Sequence, residues 1–335
     1  MIDLHLHLDG SLSVDDFKFL AEQQKVDLGE DFPNNIYVNS DCKSLEEYLE
    51  RFDLPLKLLQ DELSIGYAVS SLINRLYEMG YIYAEIRFAP QLHTQKGMSQ
   101  EDVVIAACAG LKSALEGKKD FYAGLILCAM RQSDYDTNLP AIILAERYKK
   151  HGVVAVDLAG PEAFHEGNYY KDLFQEAKNR NLNITIHAGE ACGSEEVMTA
   201  INVLGAKRIG HGVHLDLSHR NVVDVTQKNI TFEFCPTSNL QTTSLESYEK
   251  VPLKEFDRFG VKVCINSDNM TVSNTSVLEE YRHLHKVFNL QKYEVRHFLM
   301  NSINASFASL EQKNKLLKII DLKLNDFYQQ IIKED

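Results

Sequence analysis

Apolar residues recur along the chain in two alternating patterns. One is a short β-branched run. Such runs occupy 2–8, 81–88 (YIYAEIRF), 121–129 (FYAGLILCA), 152–158 (GVVAVDL), 182–187 (LNITIH), 207–211 (KRIGH), 230–234 (ITFEF) and 260–266 (GVKVCIN). They are short and mostly apolar, as parallel strands covered on both faces should be. The other pattern places apolar residues three and four apart, over 99–115, 139–150, 169–180, 194–204, 218–227 and 253–259. Gly152, Gly205 and Gly260 follow three of these stretches, where a helix often stops. Strand and helix alternating eight times predict an α/β chain closed as a (β/α)8 TIM barrel. An open doubly wound sheet is the other solution to this pattern. No GxGxxG or P-loop glycines follow the first strand, which weighs against it.

The first connection is unusually long, from about 13 to 80. It reads as extra helices over 14–24, 44–59 and 61–79, a helical lid inserted after strand 1 at the C-terminal mouth of the barrel. The tail, 294–335, is helical and charged. No repeat and no Pro/Gly/Ser-rich linker divides the chain, so residues 1–335 are expected to form one domain.

Composition narrows the function classes. The chain has 335 residues, 44% hydrophobic and 25% charged, which is ordinary globular usage. Net charge is −13 and no Lys/Arg cluster is present, so nucleic acid is not an expected partner. No window approaches a membrane span, and residues 1–5 show no basic region leading into an apolar stretch. The six cysteines are too far apart for a CxxC pair, and most lie in apolar runs, so reduced thiols and a cytoplasmic location are expected. The oligomeric state is left open.

Catalytic groups of a barrel stand at the C-terminal ends of its strands. Here those ends carry His5 and His7 on strand 1, His187 on strand 5, His211 on strand 6 and Asp268 just past strand 8. His5 and His7 are two apart, so they share one face of their strand. An HxH in a strand is more often incidental. Adding His187 and Asp268 makes a donor set suited to zinc, which lowers the pKa of a bound water from 15.7 towards about 7. Glu190, three residues after His187, can face the cavity without ligating, where a carboxyl group is placed for proton transfer. Alternatively it caps a helix or faces solvent. His211 lies between Gly210 and Gly212, an arrangement expected to leave its ring accessible, although a satisfied core histidine reads equally well.

These residues fall in ordered motifs: HLHLDGSL at the start, LAGPE at 158–162, HAGE at 187–190, GHGVH at 210–214 and SDN at 267–269. Together they resemble the adenosine deaminase family of amidohydrolase-type barrels. The resemblance runs from residue 3 to about 310 and includes NSINASF at 301–307. It implies one Zn2+ per chain held by His5, His7, His187 and Asp268. It implies hydrolytic deamination of adenosine, and of 2′-deoxyadenosine, to inosine and ammonia in purine salvage. Glu190 is implied as the acid at purine N1, His211 as the group that orients the attacking water, and Asp268 as the acceptor of its proton. Gly160, by its N–H, is implied as the partner of N3, and His7 also borders the substrate. Leu45, Tyr48, Leu49 and Phe52, at i, i+3, i+4 and i+7, are similar to the family's gate helix, although ordinary core packing would give the same stripe.

One departure concerns Asn269, which stands where the family usually has a second aspartate, placed at purine N7. An amide NH2 donates at any ordinary pH, so Asn269 is expected to fill the same role. The chief rival is a deaminase of adenine or another 6-aminopurine. Relatives resembling adenine deaminases usually read His-Leu-Glu-Gly where this chain has His7-Leu8-Asp9-Gly10. The shorter Asp9 leaves room for a ribose and can accept from its 5′-hydroxyl. A two-metal hydrolase bridged by a carboxylated lysine is disfavoured because 156–160, the end of strand 4, contains no lysine.

Overall fold

The computed structural model describes residues 1–38, 42 and 45–333. Eight strands are present among the described residues: β1 (Ile2–His7), β2 (Tyr83–Phe88), β3 (Tyr122–Met130), β4 (Val153–Ala159), β5 (Thr185–Ala188), β6 (Arg208–His211), β7 (Thr231–Phe234) and β8 (Lys262–Ile265). All neighbouring pairs are parallel, in the order β1-β2-β3-β4 and β5-β6-β7-β8. Two parallel bridges, Leu6 to Asp268 and Val156 to Ile184, join the halves at both seams. At the first seam His7 N donates to Asp268 O and Asp268 N to His5 O, each at 2.8 Å. The expected barrel is therefore closed, and closure itself brings the end of β8 against two residues of β1.

Each strand starts and ends within three residues of its sequence-based bounds. Leu4 and Leu6 face outward into the hydrophobic core, while Asp3, His5 and His7 share the inner face. The interior is unusually polar. Glu85, Arg87, Asp157, Thr185, Arg208 and Glu233 are all buried there, where bulky aliphatic layers are the usual filling.

Several helices begin where side chains cap them. Ser13, Asp61 and Ser99 form capping boxes for Val14–Gln24, Glu62–Glu78 and Gln100–Leu115. Two expectations are corrected. The stretch 44–59 is not one helix but Leu45–Leu49, a 3-10 turn Glu50–Phe52 and a new helix Asp53–Leu58. Pro55 has no N–H to continue the first helix and fits the opening turn of the second; Ser44 lies outside the described residues. The helix expected at 139–150 is Tyr135–Arg147, started by Asp134, whose carboxylate accepts from Thr137 N. Two further helices follow strand ends, Pro236–Gln241 and Val277–Phe288. The first is almost wholly polar and carries no periodic signal. The tail is two helices, Lys292–Ala305 and Leu310–Ile332. No helix among the described residues is long and apolar enough to cross a membrane.

Candidate active site

Four donors converge at the C-terminal mouth. His7 Nε2 lies 3.3 Å from His187 Nε2 and 3.4 Å from Asp268 Oδ1, and His5 Nε2 lies 3.5 Å from the same oxygen. Four ligands at about 2.0–2.1 Å around a tetrahedral metal stand about 3.3–3.4 Å from one another, so the spacing fits such an ion. His5 Nε2 is buried and has no hydrogen-bond partner, an orphan that a metal would satisfy. Cys235 also comes within reach of His5 and Asp268. Burial raises its thiol well above its ordinary pKa, and its sulfur lies 3.5 Å from Glu233 O, so it is poorly suited to ligation.

The outward nitrogens of two of these rings are held by carboxylates. Glu233 Oε2 lies 2.7 Å from His5 Nδ1, and Asp157 Oδ2 lies 3.0 Å from His187 Nδ1. That contact fixes which nitrogen faces the centre. Arg87 ties the two carboxylates together, donating to Asp157 at 2.8 Å and to Glu233 at 2.9 Å. Arg208 adds a second cation to Glu233 at 2.5 Å. Burial pulls the His5 pKa down to about 4 and holds His7 well below its usual value, keeping neutral imidazole available for coordination. Burial would also lower His187, but the Asp157 charge outweighs it and raises that pKa. Burial would raise Asp268, yet the neighbouring His5, His7 and His211 imidazoles hold it well below the carboxylate range.

Beside the donors lies a cavity of about 280 Å3, lined among others by His7, Asp9, Leu49, Phe52, Gly160, Glu190, His211 and Asn269. His211 and Asp268 both have left-handed backbones, φ +59° and +62°. Such conformations are uncommon outside glycine and cluster at functional sites. The glycines beside His211 do not leave its ring accessible, since the residue is only 1% exposed. At Gly210 an added Cβ would stand 2.8 Å from the His5 ring, so that glycine allows close packing of the imidazoles. Asn239 contacts His211 Nδ1 at 3.1 Å, leaving Nε2 for the cavity, 3.6 Å from Glu190 Oε2 and 3.9 Å from Asp268 Oδ2.

The remaining expected residues also border this space. Gly160 has φ +93°, a backbone that a side chain rarely adopts. Asp9 is buried, and its Oδ1 accepts from Gly10 N at 3.2 Å, so it ties down the turn as well as lining the cavity. Tyr48 is buried on the lid and bonds Asn269, a polar contact beyond the apolar gate expected of it. The Leu45 side chain lies outside the described residues.

A family model described as adenosine deaminase matches residues 1–323. An adenosine deaminase from Haemophilus ducreyi is 45% identical over 340 residues, covering 99% of this chain and 97% of the relative. The chain belongs to the adenosine deaminase family. It is thus a hydrolase of that family. Among solved structures, an adenine deaminase from Arthrobacter aurescens matches with a TM-score of 0.86 at 25% identity, over 98% of both chains. The N6-methyl-AMP deaminase of Arabidopsis thaliana matches at 0.85 and 26% identity, over 97% of both. An amidohydrolase from Burkholderia ambifaria, solved with bound Zn, matches at 0.85 and 18% identity, over 98% of this chain and 92% of that one, and shares the fold.

Sequence reasoning within the adenosine deaminase family missed the groups behind the donors. Arg87, Asp157 and Glu233 each interrupt an apolar strand, and a charge in such a run must find a partner. That signal was available. Glu162 entered only as the last residue of LAGPE, with no role attached, and Thr242, which donates to Glu190 Oε1 at 3.3 Å, gave no signal.

Proposed function

We propose that this chain hydrolytically deaminates adenosine, and 2′-deoxyadenosine, to the inosine nucleoside and ammonia. One zinc would be held by His5, His7, His187 and Asp268; two or more imidazoles with one carboxylate suit that ion. When bound, zinc would supply a water acidified towards neutral pH. Asp268 divides its work: Oδ1 faces His5 and His7, while Oδ2 faces His211 and is placed to accept the water's proton. His211 Nε2 would hold the water against C6 of the purine. Glu190 delivers a proton to N1, Gly160 N–H binds N3, Asn269 donates to N7, and Asp9 accepts from the ribose 5′-hydroxyl. Leu49 and Phe52 cover the base.

The observation that carries this reading is His211 Nε2 standing between a metal-side carboxylate and Glu190, at 3.9 and 3.6 Å. Charge in the cavity supports a nucleoside over a nucleotide. Asp9, Asp53, Glu162, Glu190 and Asp268 line it, and no lysine or arginine among the described residues does. A 5′-phosphate would meet like charge with nothing to pair it. Adenine is the second reading, favoured by the Arthrobacter structure, but it leaves Asp9 without a ligand partner.

The barrel and its lid, residues 1–335, are read as one domain. The buried thiols Cys108, Cys128, Cys235 and Cys264 form no disulfide and fit a reducing cytoplasm. The test is adenosine turnover and zinc content on one sample. His187→Ala should lose most of the metal and nearly all activity. Full activity in a rigorously metal-free preparation would end the reading.

A further inference from the structure

Glu190 stands on an irregular loop after β5, and its side chain is lightly held. Among the described residues its polar neighbours are Thr242 Oγ1 at 3.3 Å and His211 Nε2 at 3.6 Å. The aim of its carboxyl group therefore depends on where the main chain puts it. Four successive amides of that loop converge on a single carboxylate. Glu162 Oε1 accepts from Gly189 N at 2.5 Å, and Oε2 accepts from Glu190 N at 3.1 Å and from Ala191 N and Cys192 N at 2.8 Å each. Glu162 is 5% exposed and belongs to a different element, the loop after β4, two residues beyond Gly160. It is no helix cap, because the next helix, Ser194–Thr199, starts beyond these amides.

We propose that Glu162 is the positioning residue for proton delivery: by clasping 189–192 it fixes the Glu190 carboxyl group relative to the Gly160 N–H. The inference rests on the reading of Glu190 as the acid at N1 and Gly160 as the donor at N3. N1 and N3 belong to one six-membered ring, so the two contacts must keep a constant spacing. Gly160 and Glu162 share a loop, and Glu162 ties that loop to the acid. Hydrogen bonds from N–H to an ionised carboxylate are about twice as strong as neutral ones, and four on one group make a stiff clasp. A proton-transfer group needs this support, since about 1 Å of misplacement can cost 10²-fold in rate.

A double-mutant cycle tests this. Glu162→Gln replaces one acceptor oxygen with an NH2 that must face backbone donors. In the wild-type background it should lower kcat for adenosine at least about tenfold, with KM within about threefold and zinc content unchanged. In the Glu190→Gln background the same change should alter kcat by less than about twofold, because the group being aimed no longer carries a proton. Glu162→Asp keeps the charge and should show the same pattern with a smaller loss, and it replaces Glu162→Gln if that variant does not fold. Equal losses in both backgrounds would mean general structural support and overturn the proposal, as would an unchanged kcat in the wild-type background. If Glu190→Gln alone leaves kcat unchanged, the acid assignment has failed, and that arm reports it separately.

Discussion

Asn269 Nδ2 donates to the Tyr48 hydroxyl at 2.9 Å, and that hydroxyl lies 2.8 Å from Ser273 Oγ. A residue at the end of β8 is thus bonded to the lid helix. One amide hydrogen goes to Tyr48, and in the proposed function the second would serve purine N7. Tyr48→Phe removes the acceptor and leaves a buried N–H unpaired, at a cost of roughly 1–3 kcal/mol. We expect a loss of about tenfold in kcat/KM for adenosine, measured by the fall in the ultraviolet band, and an intact fold.

The same contact bears on Asn269→Asp. A carboxyl group donates to N7 only while protonated, whereas the amide always donates. Asn269→Asp should keep substantial activity at low pH and lose it as pH rises, with wild type falling less over the same range. Should Asn269→Ala match wild type in a kcat/KM profile, the N7 contact does not exist.

The carboxylates behind the imidazoles should control metal affinity. Asp157→Asn keeps the shape but no longer holds His187 Nδ1 by charge, and Arg87 loses a buried partner. Zinc affinity should fall about 10- to 100-fold, read by competition with a chelator. Undiminished affinity would show that the Asp157–His187 contact does not tune the site.

Glu190→Gln preserves size and cannot deliver a proton. We expect kcat to fall by at least about 10²-fold with zinc retained. A kcat equal to wild type would show that the proton comes from another group.

Away from the site, burial pushes Glu280 up to about 7, even though Thr237 and Thr275 donate to it. A carboxyl group whose folded pKa is raised favours the fold only while neutral. Its contribution is complete below the unfolded value near 4.5 and is lost as pH rises through about 7. Glu280→Gln is neutral throughout and can still accept from Thr237 and donate to Thr275. Its advantage in unfolding free energy, read from Tm, should be absent below about pH 4 and grow up to pH 8, on the order of 3 kcal/mol. A pH-independent difference would place the ionised carboxylate in a better environment than its burial suggests.

The barrel was legible because its strands are apolar runs at regular spacing, and because barrels put chemistry at strand ends. His5, His7, His187, His211 and Asp268 lie at such ends and do meet. What was hidden depends on contacts between distant segments. Nothing local in LAGPE says that Glu162 will collect four amides from HAGE. The Tyr48 hydroxyl looks like part of an apolar stripe until the lid folds onto Asn269. Arg87, Asp157 and Glu233 are an intermediate case: each stands out as a charge in an apolar strand, but only closure of the barrel shows which partners neutralise it. The break at Pro55 was readable from the residue alone.

The central claim is that the cavity takes a neutral nucleoside, with Asp9 at its 5′-hydroxyl. It is tested most directly by kcat/KM for adenosine, adenine, AMP and 5′-deoxyadenosine on one zinc-loaded sample. A hydrogen bond to a charged acceptor is worth roughly 1.5–3 kcal/mol. Adenosine should therefore exceed 5′-deoxyadenosine by about ten- to a hundredfold, lead adenine and AMP as well, and lose its advantage over 5′-deoxyadenosine in Asp9→Ala. Faster turnover of adenine or AMP would contradict the account.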